Sequence, residues 1–363
     1  MTYTREFRNP DVAKHLLERI ADTVRDHAGS MTFMEVCGTH TMAIYQHGIR
    51  SLLPEKIRLI SGPGCPVCVT PVDYVDHAVA LARRPGTVIA TFGDMVRVPG
   101  STSSLVNEQA AGADVRIVYS PLDAVALAAK HPDRSVVFLG VGFETTAPTI
   151  AGSVIEAQRR GLDNYFVLCA HKTIPGPMAI LADDPGLQVD GYLCPAHVSA
   201  IIGAEAYEPL ARDHKVPSVV TGFEPLDMLQ GVEMLARQVV AGEAKVEIQY
   251  SRVVKAGGNP KAREVLYRVF EPCDARWRGI GVIPGSGLGL RPEYAAFDAA
   301  TRLPVEVEEP REHQGCACGE ILKGKVTPRQ CPLFRTACTP ENPVGACMVS
   351  SEGTCAAEYK YGT

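Results

Sequence analysis

Short apolar runs alternate with amphipathic helical stretches from about residue 30 to about residue 250. The apolar runs have the length of buried strands and cover residues 31–36, 57–60, 87–91, 115–119, 135–141, 164–169, 191–193 and 217–221. The helical stretches between them include residues 73–83, 122–130, 145–160 and 226–240. Such strand–helix alternation predicts parallel sheets covered by helices on both faces. We therefore expect an α/β protein with two Rossmann-like domains, over residues 30–120 and 121–250.

The two ends of the chain depart from this pattern. Asn9 followed by Pro10 is a helix-start signal, and the apolar spacing after it predicts a helix within residues 1–29 that packs on the body. Residues 259–270 form a helix candidate, residues 283–290 a glycine-rich loop, and cysteine, proline and glycine dominate from residue 315. We predict a small irregular C-terminal domain over residues 251–363, which needs a metal centre because it has little apolar core.

Composition narrows the class of protein. The chain has 363 residues, 46% of them hydrophobic, and a net charge of −5, which is typical of a multidomain globular protein and gives no reason to expect nucleic acid binding. The N-terminal residues show no secretory signal, and no apolar run could span a bilayer. We expect a cytoplasmic, membrane-free protein, and because structural disulfides are rare in that compartment, its twelve cysteines indicate metal binding or redox chemistry.

Polar side chains cluster directly after the predicted strands. The residues in these positions are Cys37 and His40, Cys65 and Cys68, Asp94, Glu144, His171, and Cys194 and His197. In open parallel sheets, ligands bind beyond the carboxyl ends of the strands. We therefore expect these side chains to converge on one cleft.

The upstream thiols have two interpretations each. Cys65 and Cys68 are three residues apart and precede a helix start, so they could close a disulfide or hold one metal, with a raised thiolate reactivity. The alternative is a pair of small buried hydrophobic residues. Cys37 is followed by Gly38, which permits close approach of a ligand, and by His40, so its thiolate is a candidate ligand for iron, zinc or cuprous copper.

The C-terminal thiols form a second group. Six of the twelve cysteines lie between residues 316 and 355, and Cys318, Cys331, Cys338 and Cys355 have the spacing C-x12-C-x6-C-x16-C. Four thiolates in irregular loops suit a [4Fe–4S] cluster or a structural zinc, and the lack of C-x2-C pairs here favours the cluster. Cys316 could replace Cys318, and Cys347 could replace Cys338 or Cys355. A thiol left over could pass electrons to a disulfide.

No nucleotide site is predicted. The segment from Gly285 to Gly289 lacks the full dinucleotide-binding fingerprint, and the chain has no Walker A motif.

Several long motifs resemble those of the HypD family of hydrogenase maturation factors. The resemblance runs from about residue 10 to the C-terminus, with no departure at any cysteine motif. It rests on Met34-Glu-Val-Cys37-Gly-Thr-His40-Thr-Met, Gly62-Pro-Gly-Cys65-Pro-Val-Cys68, Phe92-Gly-Asp94-Met-Val-Arg97-Val-Pro, Gly142-Phe-Glu144-Thr-Thr-Ala-Pro148, Cys331-Pro-Leu-Phe334 and Asn342-Pro-Val-Gly-Ala-Cys347-Met-Val-Ser-Ser-Glu352-Gly.

The resemblance implies a function in metal assembly. Members of this family are scaffolds for the Fe(CN)2CO group of [NiFe]-hydrogenase; the small chaperone HypC shares the iron, and HypE delivers cyanide. Carried over, Cys37 is the iron ligand, Cys65 and Cys68 are a redox-active pair, and the C-terminal cysteines hold a [4Fe–4S] cluster as in ferredoxin:thioredoxin reductase. The implied fold is two α/β domains plus a cluster domain.

Three hypotheses follow for the whole chain. The first is a redox-active assembly scaffold, monomeric on its own and not a conventional turnover enzyme, in which His40, Asp94 and His197 are proton or hydrogen-bond partners in the cleft. The second is an iron–sulfur thiol-disulfide reductase. The third is a structural-zinc protein in which Cys65 and Cys68 are merely packed.

Overall fold

The structure, a computed structural model, describes residues 6–362. Its strands are β1 Met31–Glu35, β2 Ile57–Ser61, β3 Thr87–Thr91, β4 Asp114–Ile117, β5 Ser135–Gly140, β6 Tyr165–Cys169, β7 His171–Lys172, β8 Gly191–Pro195, β9 Ser218–Thr221, β10 Val246–Ile248, β11 Phe270–Trp277 and β12 Gly281–Leu290. Its α-helices are α1 Pro10–Val24, α2 Gly38–Gln46, α3 Ile49–Leu52, α4 Pro66–Val69, α5 Val72–Arg83, α6 Gly93–Val96, α7 Leu105–Ala110, α8 Pro121–Lys130, α9 Ala147–Arg159, α10 Pro175–Ala182, α11 Ala196–Ile202, α12 Glu208–Asp213, α13 Pro225–Ala241, α14 Pro260–Val269, α15 Ala299–Arg302, α16 Cys318–Leu322, α17 Ala346–Val349 and α18 Thr354–Tyr361. Within these residues, no helix combines the length and the apolar character needed to cross a bilayer.

Two parallel sheets carry the fold. Sheet A has the strand order β10-β9-β8-β1-β2, and sheet B has the order β4-β3-β5-β6. Every pair of neighbouring strands in both sheets is parallel. The predicted α/β class with two parallel sheets and a small irregular C-terminal region is confirmed.

Both faces of the sheets are buried, which explains the continuous apolar runs. In β5, Val136 and Phe138 belong to one apolar cluster, while Val137 and Leu139 belong to the cluster on the opposite face. In β1, Phe33 and Met34 likewise belong to two different clusters. Strands buried on both faces lack the polar alternation of a half-exposed sheet.

The sheets do not follow the expected division at residue 120. Sheet A pairs β1 and β2 with β8, β9 and β10, so it takes strands from both expected ranges, and sheet B does the same with β3 to β6. The division into domains 30–120 and 121–250 thus stays a prediction, but the two sheets do not follow it. Periodicity identifies the segments that form strands and says nothing about which strands pair.

The predicted N-terminal helix is α1. The Asn9 side chain accepts a hydrogen bond from the backbone N–H of Asp11 at 2.9 Å and so caps the helix. Leu16, Ile20 and Val24 are buried and share an apolar cluster with residues of α13. Residues 1–5 of the expected range 1–29 lie outside the described part of the chain.

The glycine-rich segment 283–290 was expected to be a loop, and this expectation is wrong. It forms most of β12, the central strand of an antiparallel three-stranded sheet, sheet C, with the order β11-β12-β7. Ser286 and Leu288 of β12 are buried, and Gly287 lies between neighbours on both sides. Glycine in a strand marks a close approach, which sequence reading mistakes for a turn.

Candidate functional site

Cys37 lies in a buried turn between β1 and α2. Its backbone N–H donates a hydrogen bond to Glu35 Oε2 at 3.1 Å, and the Thr41 hydroxyl donates to the other oxygen of Glu35. Burial, helped by the nearby carboxyl groups of Glu352 and Glu35, raises the pKa of the Cys37 thiol to about 12, although backbone N–H groups at the start of α2 oppose the shift. The thiol therefore stays protonated at neutral pH unless a cation takes the place of the proton.

The Cys65–Cys68 loop lies directly against this turn. The two cysteines form a disulfide, with Cα atoms 5.2 Å apart. The Gly38 backbone N–H donates to the carbonyl oxygen of Gly64 at 2.9 Å, and a Cβ on Gly64 would stand 2.1 Å from the Cys37 nitrogen. Only glycine permits this backbone approach. The structure thus brings Cys37 and the Cys65–Cys68 pair together.

Helix α17 connects the pair to the C-terminal thiols. Cys68 Sγ lies 3.8 Å from the carbonyl oxygen of Ala346. The next residue, Cys347, has its Sγ 2.9 Å from Cys318 Sγ. The Cys65–Cys68 pair and the C-terminal thiols are distant in sequence. In the structure, the peptide unit that joins Ala346 to Cys347 in α17 links the two groups.

The C-terminal thiols share one pocket. All six cysteines from Cys316 to Cys355 line it as free thiols, and its apolar walls are Ile321, Leu333, Phe334 and Met348. Across residues 6–362, no three or more His, Cys, Asp or Glu side chains stand in a metal-binding arrangement. The donor set nevertheless fits an iron–sulfur cluster, because soft sulfur ligands in a nearly dry apolar shell are what such clusters require.

Three thiols in this pocket shift one another's pKa values through hydrogen bonds. Hydrogen bonds from Cys316 and Cys347 hold the pKa of Cys318 well below its ordinary value, and the Arg278 guanidinium adds to this effect. The pKa values of Cys316 and Cys347 are raised in turn.

The carboxyl edge of sheet A carries the two predicted histidines. His40 is fully buried; its Nε2–H donates to the Thr221 carbonyl oxygen at 2.9 Å, and Nδ1 has no partner among the described residues. Burial lowers the pKa of His40 to about 4, so its ring is neutral at pH 7. The Phe223 ring contacts both histidines, with centroids 5.3 Å from His40 and 4.2 Å from His197. Burial also lowers the pKa of His197.

Asp94 lies elsewhere. It is exposed at the start of α6, after β3 of sheet B, whereas Cys37, His197 and Phe223 follow strands of sheet A. In the described part of the chain, no hydrogen bond joins Asp94 to Cys37 or to either histidine. The geometry therefore does not support Asp94 as a partner in this cleft; a role for it stays a prediction.

Sequence reasoning missed three contributors to the site, Glu35, Glu352 and Phe223. The Thr39 hydroxyl donates to Glu352 Oε1 at 2.8 Å, and a Cβ on Gly38 would stand 2.5 Å from the Cβ of Glu352. The C-terminal segment is thus packed onto the start of α2. An available signal for Glu35 was its position as an acid within an apolar strand, and Glu352 lies inside a motif that carries the family resemblance.

Glu144 has a buried carboxyl group and lies in the segment that follows β5 of sheet B. Its Oε1 accepts a hydrogen bond from the Ile174 backbone N–H at 3.1 Å, and Oε2 has no partner among residues 6–362. Burial raises the pKa of Glu144 to about 7. The side chain therefore changes protonation near neutral pH without a counter-ion at its second oxygen.

Glu144→Gln is expected to flatten the pH dependence of stability. Because the folded pKa of about 7 lies above the unfolded value, the wild type binds more protons when folded and loses stability as pH rises from about 4.3 to 7. The full loss from this group is on the order of 3 kcal/mol. Urea midpoints at pH 5, 6, 7 and 8 should fall less steeply in the variant. Glu264→Gln, at an exposed site, is the control; identical slopes for Glu144→Gln and wild type would contradict the prediction.

Comparison with known proteins identifies relatives over the whole chain. A family profile described as "HypD: Hydrogenase formation hypA family" matches residues 11–362. Hydrogenase maturation factor HypD of Azotobacter vinelandii is 49% identical over 369 residues, covering 100% of this chain and 97% of that protein. The HypD protein of Escherichia coli K12 is 46% identical over 368 residues, covering 99% and 98%.

Solved structures add no argument. A conserved domain protein from Vibrio cholerae aligns at 10% identity with a TM-score of 0.13, covering 74% of this chain and 98% of its own. The full-length profile match and the identities of 46% and 49% are decisive. This chain belongs to the HypD family of hydrogenase maturation factors.

Proposed function

We propose that this chain is the scaffold on which the Fe(CN)2CO group of [NiFe]-hydrogenase is assembled. Family membership gives it a role in hydrogenase assembly. The single observation that supports the finer proposal is the contiguity of three sulfur groups: the Cys37 turn, the Cys65–Cys68 loop and the six-cysteine pocket. A scaffold that holds iron and handles electrons needs this order of groups.

Cys37 is the proposed iron ligand. Its thiol is 8% exposed and has a raised pKa, so an incoming iron ion exchanges for the thiol proton and supplies the missing positive charge. A second thiolate comes from the small chaperone of the HypC type. Iron carrying cyanide and CO is the cargo here, and soft thiolates suit it.

The neutral His40 ring is the proposed proton acceptor of this cleft. Its Nε2 hydrogen is committed to the Thr221 carbonyl, so the free Nδ1 can only accept. His197 lies across the Phe223 ring, and its position toward Glu352 gives it an acidic neighbour. Because both pKa values are lowered, these groups would only relay the proton that leaves Cys37 when iron binds, and would not keep it at pH 7.

Cys65 and Cys68 are the proposed source of reducing equivalents. Cleavage of the S–C bond of a thiocyanate, carried by a HypE-type donor, releases cyanide and a thiolate and consumes two electrons. Oxidation of the Cys65–Cys68 dithiol to the disulfide provides two electrons and two protons. The disulfide form present in the structure corresponds to the product of that step.

Four of the six C-terminal cysteines are proposed to hold a [4Fe–4S] cluster, with Cys318, Cys331, Cys338 and Cys355 as the expected set. When bound, the cluster supplies one-electron transfer at low potential. Cys347, whose Sγ is 2.9 Å from Cys318 Sγ, is positioned between this set and the peptide unit that contacts Cys68.

A thiol-disulfide reductase is the second candidate. The same adjacency of a disulfide and a thiol-lined pocket would serve reduction of a partner's disulfide. That function requires Cys65 and Cys68 but gives Cys37 no iron to bind.

Infrared spectroscopy separates these functions. We expect the chain, purified anaerobically after co-expression with its small chaperone, to show cyanide and CO bands. It should also contain inorganic sulfide and more than one iron per chain. Reduction of a thioredoxin-like disulfide without such bands would favour the reductase. A protein that contains zinc but no iron or sulfide would contradict both proposals.

A further inference from the structure

A separate cavity, whose lining begins at Pro71 shortly after Cys68, is not used by the proposed function. It has a volume of about 580 Å³ and lies between the start of α5, the end of β6 and sheet C. None of its lining residues also lines the six-cysteine pocket. A cavity of this size accommodates a small metabolite.

Two residues that line the cavity, Cys273 and Lys172, belong to one cross-strand row. Gly287 of β12 pairs with Cys273 on one side and with Lys172 on the other. Residues directly opposite in antiparallel strands point to the same face, so the thiol and the amine stand on the same side of sheet C, with Cα atoms about 10 Å apart across two strand spacings. A Cβ on Gly287 would stand 2.7 Å from the Ala275 Cβ and 3.2 Å from Cys273 Sγ, so the lack of a side chain lets these two groups pack over the strand.

Lys172 is the unexplained charge in this wall. Its side chain is 4% exposed, and among residues 6–362 it makes no hydrogen bond or ion pair. A buried ammonium without a partner is costly, and proteins seldom keep one unless a ligand supplies the opposite charge. Burial lowers its pKa to about 8, which still leaves most of it protonated at pH 7.

The carboxylates around the cavity already have partners. Asp73 pairs with Arg276 at 3.4 Å. Asp274 accepts from the Gly285 backbone N–H at 3.0 Å, and Asp298 accepts from the Ala300 backbone N–H at 3.1 Å. Among the described residues, Lys172 is therefore a cation of this lining that has neither a hydrogen bond nor an ion pair, and the Asp73 carboxylate acts on it only through space.

We propose that this cavity binds a small-molecule oxyanion, a carboxylate or a phosphate, on Lys172, with the body of the molecule beside Cys273. Lys172 is the anchor for the oxyanion. Cys273 is exposed at the cavity and so reports on what Lys172 recruits.

The test is alkylation of Cys273 by iodoacetate compared with iodoacetamide. In both reactions the thiolate displaces iodide and forms an S–C bond, but only iodoacetate carries a carboxylate. Any effect of Lys172 on the thiolate fraction cancels in the ratio of the two rates, which therefore measures recruitment of the oxyanion. Peptide mass spectrometry isolates Cys273 from the other cysteines of the full chain, and glutathione supplies the reference ratio.

We expect the ratio for Cys273 to exceed that of glutathione by about tenfold, the size of one partly screened ion pair. Lys172→Met should remove this excess, Lys172→Arg should keep most of it, and Lys130→Met, the same change at an exposed site, should leave it intact. On the wild type, inorganic phosphate or acetate should slow carboxymethylation more than chloride at equal ionic strength, and the more protective of the two identifies the ligand class.

The wild-type arm decides the question even where Lys172→Met does not fold. A wild-type ratio equal to that of glutathione would overturn the proposal, as would an unchanged ratio in folded Lys172→Met. Failure of both phosphate and acetate to protect more than chloride would overturn it as well. None of these readouts depends on iron, cyanide or hydrogenase activity, so the result is independent of the scaffold proposal.

Discussion

Cys37→Ala is expected to abolish the cyanide and CO infrared bands of the chain co-purified with its chaperone. The variant loses the sulfur proposed to hold the cargo iron, and the turn between β1 and α2 contains no other cysteine. Removing a neighbour of a metal ligand already costs about 10–100-fold in affinity, and loss of the ligand itself should cost more. Hydrogenase activity in a complemented strain should fall in parallel.

The visible absorption of the proposed cluster separates loss of iron from loss of fold. It should persist in Cys37→Ala, because Cys37 does not line the six-cysteine pocket. Cys194→Ala is the matched control: it removes another fully buried thiol from sheet A, in β8, and should retain the bands. Bands of wild-type intensity in Cys37→Ala would show that another residue binds the iron, and would contradict the role proposed for Cys37.

Strands of the two parallel sheets were the most predictable part of the fold. The apolar run 87–91 coincides with β3, and the runs 31–36 and 57–60 match β1 and β2 within one residue. Such strands are buried on both faces, and therefore read as unbroken hydrophobic segments between polar turns. Asn9 likewise identified the start of α1, since its capping side chain is a local feature.

Strand pairing could not be obtained in the same way. Glu35 at the end of β1 lies opposite Leu193 of β8, and nothing in either segment encodes that register. The consequence reaches the site: His197 follows a neighbour of β1, whereas Asp94 follows a strand of the other sheet, although both had the same position after an apolar run. Sequence reading locates residues at carboxyl edges, but the strand order decides which edges coincide.

The division of the thiols into two groups is visible in the sequence, but their contact is not. It depends on Ala346 of α17 meeting Cys68, and on Glu352 packing against Gly38. Both contacts come from a segment without regular hydrophobic periodicity, so its path across the fold cannot be predicted from the sequence. The antiparallel sheet C was missed for a related reason, because Gly285, Gly287 and Gly289 resemble a loop.

Gly64→Ala is expected to separate the Cys65–Cys68 loop from the Cys37 turn. A Cβ at this position would stand 2.1 Å from the nitrogen and 2.5 Å from the Cα of Cys37. These are backbone atoms, so no side-chain rotation relieves the overlap, and the hydrogen bond from Gly38 N–H to the Gly64 carbonyl must break. The expected cost is about 4 kcal/mol, at the upper end for a single substitution, with a fall of about 5 °C in the unfolding midpoint.

Thermal unfolding and infrared spectra of the same preparation check this expectation together. The cyanide and CO bands should be lost in Gly64→Ala while the cluster absorption remains, because the overlap lies at the Cys37 turn. Gly152→Ala is the matched control: Gly152 lies within α9, a Cβ there would meet nothing within 4 Å, and the change should raise helix stability by about 0.5–1 kcal/mol. A midpoint for Gly64→Ala equal to that of wild type would mean that the loop does not contact Cys37, and the redox pair would then have no direct path to the iron.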